Sequence, residues 1–248
     1  MPKARYVLVG LVLIGAANMI EPPTSISGRG RVWAEEKKTV SLNVYFSPGV
    51  GTSGWLTTDS CTVRFDPPVS PTEIEGYSLL LSPSPFYEAD LTVDTTEPLW
   101  QFTALPPGSS YLSIHVKKKD GRWIKGTAVR VKIDTRPPSP PTLIQCYDSL
   151  FEKHALASGE PQSQSQRPYF KWTQPPGADG DSPIRTFRVR WEKSDGTLLE
   201  LNDAPPAAFF PSRAVTDSGS YLLSVIAVDE AGWESLPASY QFVYAAEP

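Results

Sequence analysis

The sequence of 248 residues has little cysteine or histidine, with two residues of each. Two cysteines, Cys61 and Cys146, cannot build the dense disulfide framework of many small secreted domains, so stability must come from apolar cores. Cys61 alternates in step with the apolar Val63 and Phe65. We therefore expect both thiols to be free and buried, although they could form a bridge in an oxidising compartment.

The sequence also lacks an excess of positive charge, since its formal net charge is −4 at pH 7. Nucleic-acid binding needs clustered Lys and Arg to replace phosphate counterions, so we exclude it. What is abundant is proline, with 26 residues beside 17 glycines, in a chain that is 40% apolar. Proline breaks helices and suits short strands joined by turns. This composition favours an all-β fold.

The N-terminus has the pattern of a secretory signal. Lys3 and Arg5 precede an apolar run over 7–20, which is short for a membrane span of about 20 residues. Cleavage could follow Ala17 or Ala34, and an uncleaved membrane anchor is the alternative. We expect residues 1–34 to direct the chain out of the cytoplasm, to the periplasm, the cell surface or the medium.

The remainder of the chain contains two copies of one pattern. "RFDPP" and "IEGYSLLL" in the first copy correspond to "KWTQPP" and "IRTFRVRW" in the second, and "LPPGSSYLSIHV" corresponds to "TDSGSYLLSVIAV". Self-similarity of this kind indicates tandem modules. We predict a first domain over 35–134, a proline-rich linker over 135–141 and a second domain over 142–248.

Apolar residues alternate with polar ones along both copies, which is the period of a β-strand. Phe187, Val189 and Trp191 form one predicted inward row. A second inward row consists of Tyr221, Leu223, Val225 and Ala227. About seven such strands per copy predict two tandem antiparallel β-sandwiches. The segment 147–168 breaks the alternation, and we interpret it as a long loop in which "SLFEKHALA" could form one or two helical turns.

These residues resemble the fibronectin type III family, an immunoglobulin-like β-sandwich. The resemblance lies in "WTQPP" at 172–176, "SPIRTFRVRW" at 182–191 and "YLLSVIAVDEAGWES" at 221–235. It implies that Tyr221 forms a tyrosine corner by bonding its hydroxyl to nearby backbone. The first copy matches less well, since Ser110 stands at the corner position and Phe65 replaces the tryptophan. Such domains mostly serve as spacers, adhesion modules or appendages of secreted enzymes.

The sequence offers no pattern for catalysis or for a cofactor. Only His115, placed on an outward row, and His154, placed in the long loop, are available, and the sequence has no His-x-x-His, Cys-x-x-Cys or Gly-x-Ser-x-Gly motif for a metal or nucleophilic site. Asp179 and Asp181 have a spacing that can face calcium, but the further carboxylates of a calcium loop are missing. We therefore predict a non-enzymatic protein without a cofactor or metal.

Two surfaces are candidates for partner binding. The turn over 116–126 gathers cations around a tryptophan, and its counterpart in the second copy carries acidic residues around Trp233, below an apolar outer row. The candidate residues are Lys117, Lys118, Lys119, Arg122, Trp123, Lys125, Leu222, Ile226, Trp233 and Glu234. Either the stems of Arg188 and Arg190 cover the outer row, or that row is a contact surface.

From these features we predict an exported structural or adhesive module that binds a protein or a glycan. One alternative is a carbohydrate-binding protein that uses exposed Trp123, Trp233 or Trp55. The other is a membrane-anchored accessory subunit of a cell-envelope complex.

Overall fold

The structure is a computed structural model that describes residues 39–50, 53–175, 182–204 and 207–246. The predicted signal or anchor segment and the Asp179–Asp181 pair lie outside these residues. The chain forms two compact units. The first contains 62–101 and 110–130 with residues up to 45, and the second contains 131–248 with 46–61 and 102–109. The predicted domain limits around the proline-rich linker stay a prediction.

The first half of the chain folds into short strands in two sheets. In the described part of 44–133 the strands are β1 Val44–Ser47, β2 Cys61–Phe65, β3 Ile74–Ser82, β4 Leu99–Phe102, β5 Gly108–Lys118, β6 Trp123–Lys125 and β7 Val129–Ile133. One sheet has the order β1-β2-β4, and the other has the order β3-β5-β6, with β7 also paired to β5. Strand β5 runs antiparallel to β3 and to β6. A 3-10 helix, Pro71–Glu73, precedes β3.

The second half repeats this design. Its described strands are β8 Thr142–Tyr147, β9 Ala155–Leu156, β10 Pro161–Gln162, β11 Tyr169–Thr173, β12 Ile184–Lys193, β13 Leu198–Ala204, β14 Phe209–Pro211, β15 Gly219–Asp229 and β16 Ala238–Tyr244. The sheets have the orders β14-β11-β8-β9 and β10-β16-β15-β12-β13. Strand β10 runs parallel to β16, and the other pairs are antiparallel. Without the two-residue strands β9 and β10, seven strands remain.

The inward rows predicted from alternation are confirmed. All seven residues of the two predicted inward rows, at alternate positions over 187–191 and 221–227, are buried. Between the two sheets, the ring centroids of Phe170 and Trp191 are 5.3 Å apart. In the first half, Phe65 of β2 meets Tyr77 of β3 edge-on at 4.8 Å. Aromatic contacts between facing sheets bury large apolar areas and hold a sandwich together. The all-β sandwich class is therefore confirmed.

The hydroxyl of Tyr221 donates a hydrogen bond of 2.6 Å to the carbonyl oxygen of Asp217. This is the tyrosine corner that the resemblance implied, formed between the start of β15 and the turn before it. In the first half Ser110 is buried on the row of Leu112, Ile114 and Val116, as predicted.

One prediction was wrong: His115 is not exposed. It lies on the outward row of β5, yet only 1% of its surface is accessible. The connection between β3 and β4, residues 83–98, which we call the strap, crosses that face. Ala89 of the strap donates its backbone N–H to the Ser113 hydroxyl, and Asp94 accepts a hydrogen bond from the backbone of Leu79. The strap comes from another part of the sequence, so alternation along β5 could not reveal this cover.

The segment 147–168 is a long connection between β8 and β11, as predicted. It contains no helical turn, and it carries β9 and β10 instead. Strand β9 extends the sheet of β8, whereas β10 adds a parallel edge to β16. The segment is therefore tied to both sheets of its half.

Candidate functional site

The cation-rich turn between β5 and β6 is largely neutralised by carboxylates of its own unit. Lys117 pairs with Glu75 at 2.8 Å, Lys118 with Glu73 at 2.9 Å, Arg122 with Asp120 at 2.6 Å, and Lys125 with Glu88. The hydrogen bond from Arg122 lowers the pKa of Asp120 to about 2. Within the described part of the chain, only Lys119 of the five cations has no carboxylate partner. An anionic partner would therefore meet a surface whose charges are already paired.

The tryptophan rings of the described residues are partly or fully covered. All six that the structure describes are buried or half-buried. Trp55, expected to be exposed, is only 6% exposed, because its Nε1 donates to Glu230 at 3.2 Å and the Lys132 ammonium lies 4.8 Å from its ring centroid. The ammonium of Lys117 lies 6.0 Å from the centroid of Trp123. Trp233 donates its Nε1 hydrogen to the carbonyl oxygen of Asp134 at 3.0 Å.

The outer row of β15 is covered by a charged side chain. Leu222 and Ile226 are half-buried, and Arg188, paired in register with Ile226 on β12, binds both Glu234 at 2.7 Å and Asp203 at 3.2 Å. Both carboxylates bind the guanidinium of Arg188, and an arginine stem beside an apolar neighbour such as Ile226 can shield it from water. The geometry favours the cover interpretation of this row over the contact-surface interpretation.

Asp229, at the end of β15, is a structural carboxylate. It is buried, and its Oδ1 accepts hydrogen bonds from the backbone N–H groups of Gly232 and Trp233 at 2.8 and 2.9 Å. Burial raises the pKa of Asp229, and the nearby Asp134 raises it further. Its bonds close the turn over 229–233, so we assign it no catalytic role.

A groove in the second unit is the surface that sequence reasoning missed. It is open, has a volume of about 310 Å³ and brings together three separate stretches of chain. Its lining residues are Asp148, Ser149, Leu150, Phe151, Arg167, Tyr169, Pro211 and Ser212. A sequence signal that could have indicated it was the apolar pair Leu150 and Phe151, in the stretch for which helical turns were considered.

The loop over 148–154 holds that apolar pair in the solvent. Leu150 is 63% exposed and Phe151 is 81% exposed. Exposed apolar side chains are common singly, but a neighbouring pair beside a groove indicates a contact surface. Tyr169 also lines the groove, and its ring centroid is 5.9 Å from that of the exposed Phe209. The groove therefore has an apolar rim and an aromatic residue in its lining.

Hydrogen bonds fix the shape of this loop. The carboxylate of Asp148 lies 2.7 Å from Nδ1 of His154. The backbone N–H of Asp148 also donates a hydrogen bond of 3.0 Å to the carbonyl oxygen of His154. The bond to His154 lowers the pKa of Asp148. Glu152 adopts a left-handed backbone conformation, with φ of 54°, and its carboxylate pairs with Lys171 at 3.0 Å. A non-glycine residue in this conformation is held there by its surroundings.

The groove offers binding contacts without groups arranged for chemistry. Across the described residues, no three His, Cys, Asp or Glu side chains are placed to hold a metal ion. No helix in the described part of the chain has the length and apolar character needed to cross a bilayer. Asp179 and Asp181, considered for calcium, lie outside the described residues. What the groove can supply is apolar contact and the guanidinium of Arg167.

The strand orders and the tyrosine corner define a fibronectin type III-like, immunoglobulin-like β-sandwich protein. No protein-family model and no curated protein matches the sequence. Among solved structures, the chain is similar to a two-domain fibronectin type III segment of chicken tenascin. The identity is 18%, the TM-score is 0.34, and the match covers 75% of this chain and 93% of that one.

Proposed function

We propose that this chain is a non-enzymatic interaction module that binds another protein through the groove of its second unit. The observation that carries the proposal is the rigid display of Leu150 and Phe151, the latter 81% exposed, by a loop that is hydrogen-bonded to itself. Binding then requires little ordering of the loop, which lowers the entropic cost of association. Aromatic side chains that fill a partner's pocket are frequent hot spots of protein interfaces.

A photo-crosslinking experiment tests this function. Benzoylphenylalanine replaces Phe151 in the full chain, expressed in the native host, and in a matched variant it replaces Leu236, which is similarly exposed at 77% but does not line the groove. We expect one discrete crosslinked product from position 151 and none from position 236. Excess purified wild-type chain should suppress the product, whereas the Phe151→Ser chain should not. Equal products at both positions, or suppression by both competitors, would contradict groove binding.

The proposed site of action is outside the cytoplasm, as an exported structural or adhesive module. The support is the N-terminal sequence, in which Lys3 and Arg5 precede the apolar run over 7–20. Mass spectrometry of the native protein should find a mature start at Asn18 or Glu35. An intact Met1 in the membrane fraction would favour the anchored accessory subunit instead, and an intact Met1 in the cytosol would overturn export.

A further inference from the structure

We propose that the groove recognises an acidic peptide segment in which Asp or Glu stands next to a bulky apolar residue. This inference rests on the proposed interaction function and specifies the chemistry of the partner. It follows from two features of the groove: an apolar rim that is held in place, and one cation that forms no ion pair with another described residue.

The apolar half of the recognition comes from Leu150, Phe151, Tyr169 and Pro211, which line the groove. At about 310 Å³ the groove is at the small end of the range for ligand pockets, so it accommodates a short stretch of peptide. A bulky apolar side chain of the partner would remove the exposed ring of Phe151 from water, which is favourable in proportion to the apolar area buried.

The acidic half of the recognition comes from Arg167. Its guanidinium forms no hydrogen bond or ion pair with another described residue, although its backbone N–H donates to the Ser165 hydroxyl at 3.1 Å. The other charged group in the groove, the Asp148 carboxylate, is already bonded to the ring of His154 and to the hydroxyl of Ser149. Arg167 is thus the free charge, and its planar donors match a carboxylate in a bidentate arrangement.

The mixture of contacts favours a peptide over an anionic glycan. Leu150, Phe151 and Pro211 line the groove, whereas the described tryptophan rings, which would stack on sugars, lie elsewhere and are buried or half-buried. An internal Asp or Glu beside Leu, Ile or Phe combines both required contacts within a short extended segment. The peptide's own C-terminal carboxylate has the same charge, so the experiment must separate the two sources.

A peptide-display selection on the full-length protein tests the proposal. Random linear peptides on phage are selected against wild-type protein, and the enriched peptides are synthesised with amidated C-termini for affinity measurement. We expect enriched sequences to pair Asp or Glu with a neighbouring bulky apolar residue. Phe151→Ser and Arg167→Gln should each raise Kd by roughly tenfold or more. Leu236→Ser, a matched loss of exposed apolar surface, should leave Kd unchanged. Added salt should weaken binding by the wild type more than by Arg167→Gln.

Four results would overturn the proposal: no enrichment, enrichment of peptides without acidic residues, loss of binding on amidation, and selective binding to anionic glycans on an array. Each variant is checked by thermal unfolding, so a loss of affinity in a folded chain is attributable to the groove. A crosslinked partner at position 151 together with selected peptides that lack acidic residues would leave the interaction function standing and reject only the acidic partner.

Discussion

The hydroxyl of Tyr221 and the carbonyl oxygen of Asp217 are joined by a hydrogen bond of 2.6 Å, which ties the start of β15 to the turn before it. The ring of the same tyrosine stacks on Trp191, with 5.6 Å between ring centroids and 21° between the planes. One side chain thus anchors a turn and fills the core of the second unit. The two contributions can be separated by removing the hydroxyl alone.

Replacing Tyr221 by Phe should lower the free energy of unfolding by about 1 kcal/mol, since one intramolecular hydrogen bond is lost. Urea denaturation monitored by circular dichroism measures the change. Tyr169→Phe is the matched control, because the Tyr169 ring is also largely buried. The control should lose less stability than Tyr221→Phe, and an equal loss would contradict a specific role of the corner.

Gly76 leaves room for the strap. A Cβ atom added at this position would collide with Cγ1 of Val93 and lie 2.9 Å from the carbonyl oxygen of Thr95. Gly76→Ala should therefore cost about 1–3 kcal/mol of stability, as overpacking does. Gly49→Ala, whose nearest contact would be 3.8 Å away, should be tolerated.

A second substitution sharpens this prediction. Adding Val93→Ala to Gly76→Ala removes the side-chain collision but keeps the close backbone carbonyl of Thr95. Chemical denaturation of the double variant should show partial recovery relative to Gly76→Ala. Full recovery would mean that the strap backbone moves away without cost.

The buried His115 should make the first unit sensitive to acid. Neither ring nitrogen has a hydrogen-bond partner among the described residues, and burial lowers the pKa of His115, with Lys125 adding to the effect while Glu88 and Asp90 oppose it. The folded protein then binds fewer protons at this residue than the unfolded chain does. The stability that neutral His115 contributes is fully present above its unfolded-state pKa of about 6.5. This contribution is lost as the pH falls through the lower pKa of His115 in the folded state.

The free energy of unfolding, measured from neutral pH down to about pH 5, tests whether stability decreases on acidification as predicted. His115→Leu should flatten the decline in stability relative to the wild type. The matched control is His154→Leu, which replaces the exposed histidine that is bonded to Asp148. A wild-type stability that rises on acidification in this range would contradict the assignment of a neutral His115.

The two thiols should be unreactive in the folded protein. Cys61 and Cys146 are free and buried, and burial raises the pKa of Cys61 to about 11 and that of Cys146 to about 12. Because the thiolate is the reactive form, iodoacetamide at mildly alkaline pH should give no adduct in the native state and two adducts after unfolding. Mass spectrometry distinguishes these outcomes, and a native adduct or an isolated disulfide would refute the prediction.

Alternation along the chain was sufficient to predict the strands and the core, because a strand that is half-buried exposes every second side chain. The rows containing Trp191 and Tyr221 are buried as expected. The corner bond of Tyr221 was predicted from the family resemblance and not from alternation. The local pattern predicts these rows correctly because the alternation of residues within one strand determines which of its side chains are buried.

Sequence reasoning failed where distant segments meet. His115 is covered by the strap, and Trp55 is bonded to Glu230. The groove is formed by residues near 150, 168 and 211, so no single stretch of the sequence could predict it. A pattern read along one strand contains no information about which remote loop lies over it.

The strap has two faces with different constraints. Ala89 and Val93 pack towards the sheet, and Asp94 bonds to its backbone, so these positions tolerate few replacements. Phe86 and Leu91 point away and are exposed. Mutations at such outward positions can accumulate without destabilising the fold, because the inward-facing residues alone hold the strap on the sheet. The outward face of the strap can therefore change in sequence while the sandwich beneath it stays the same.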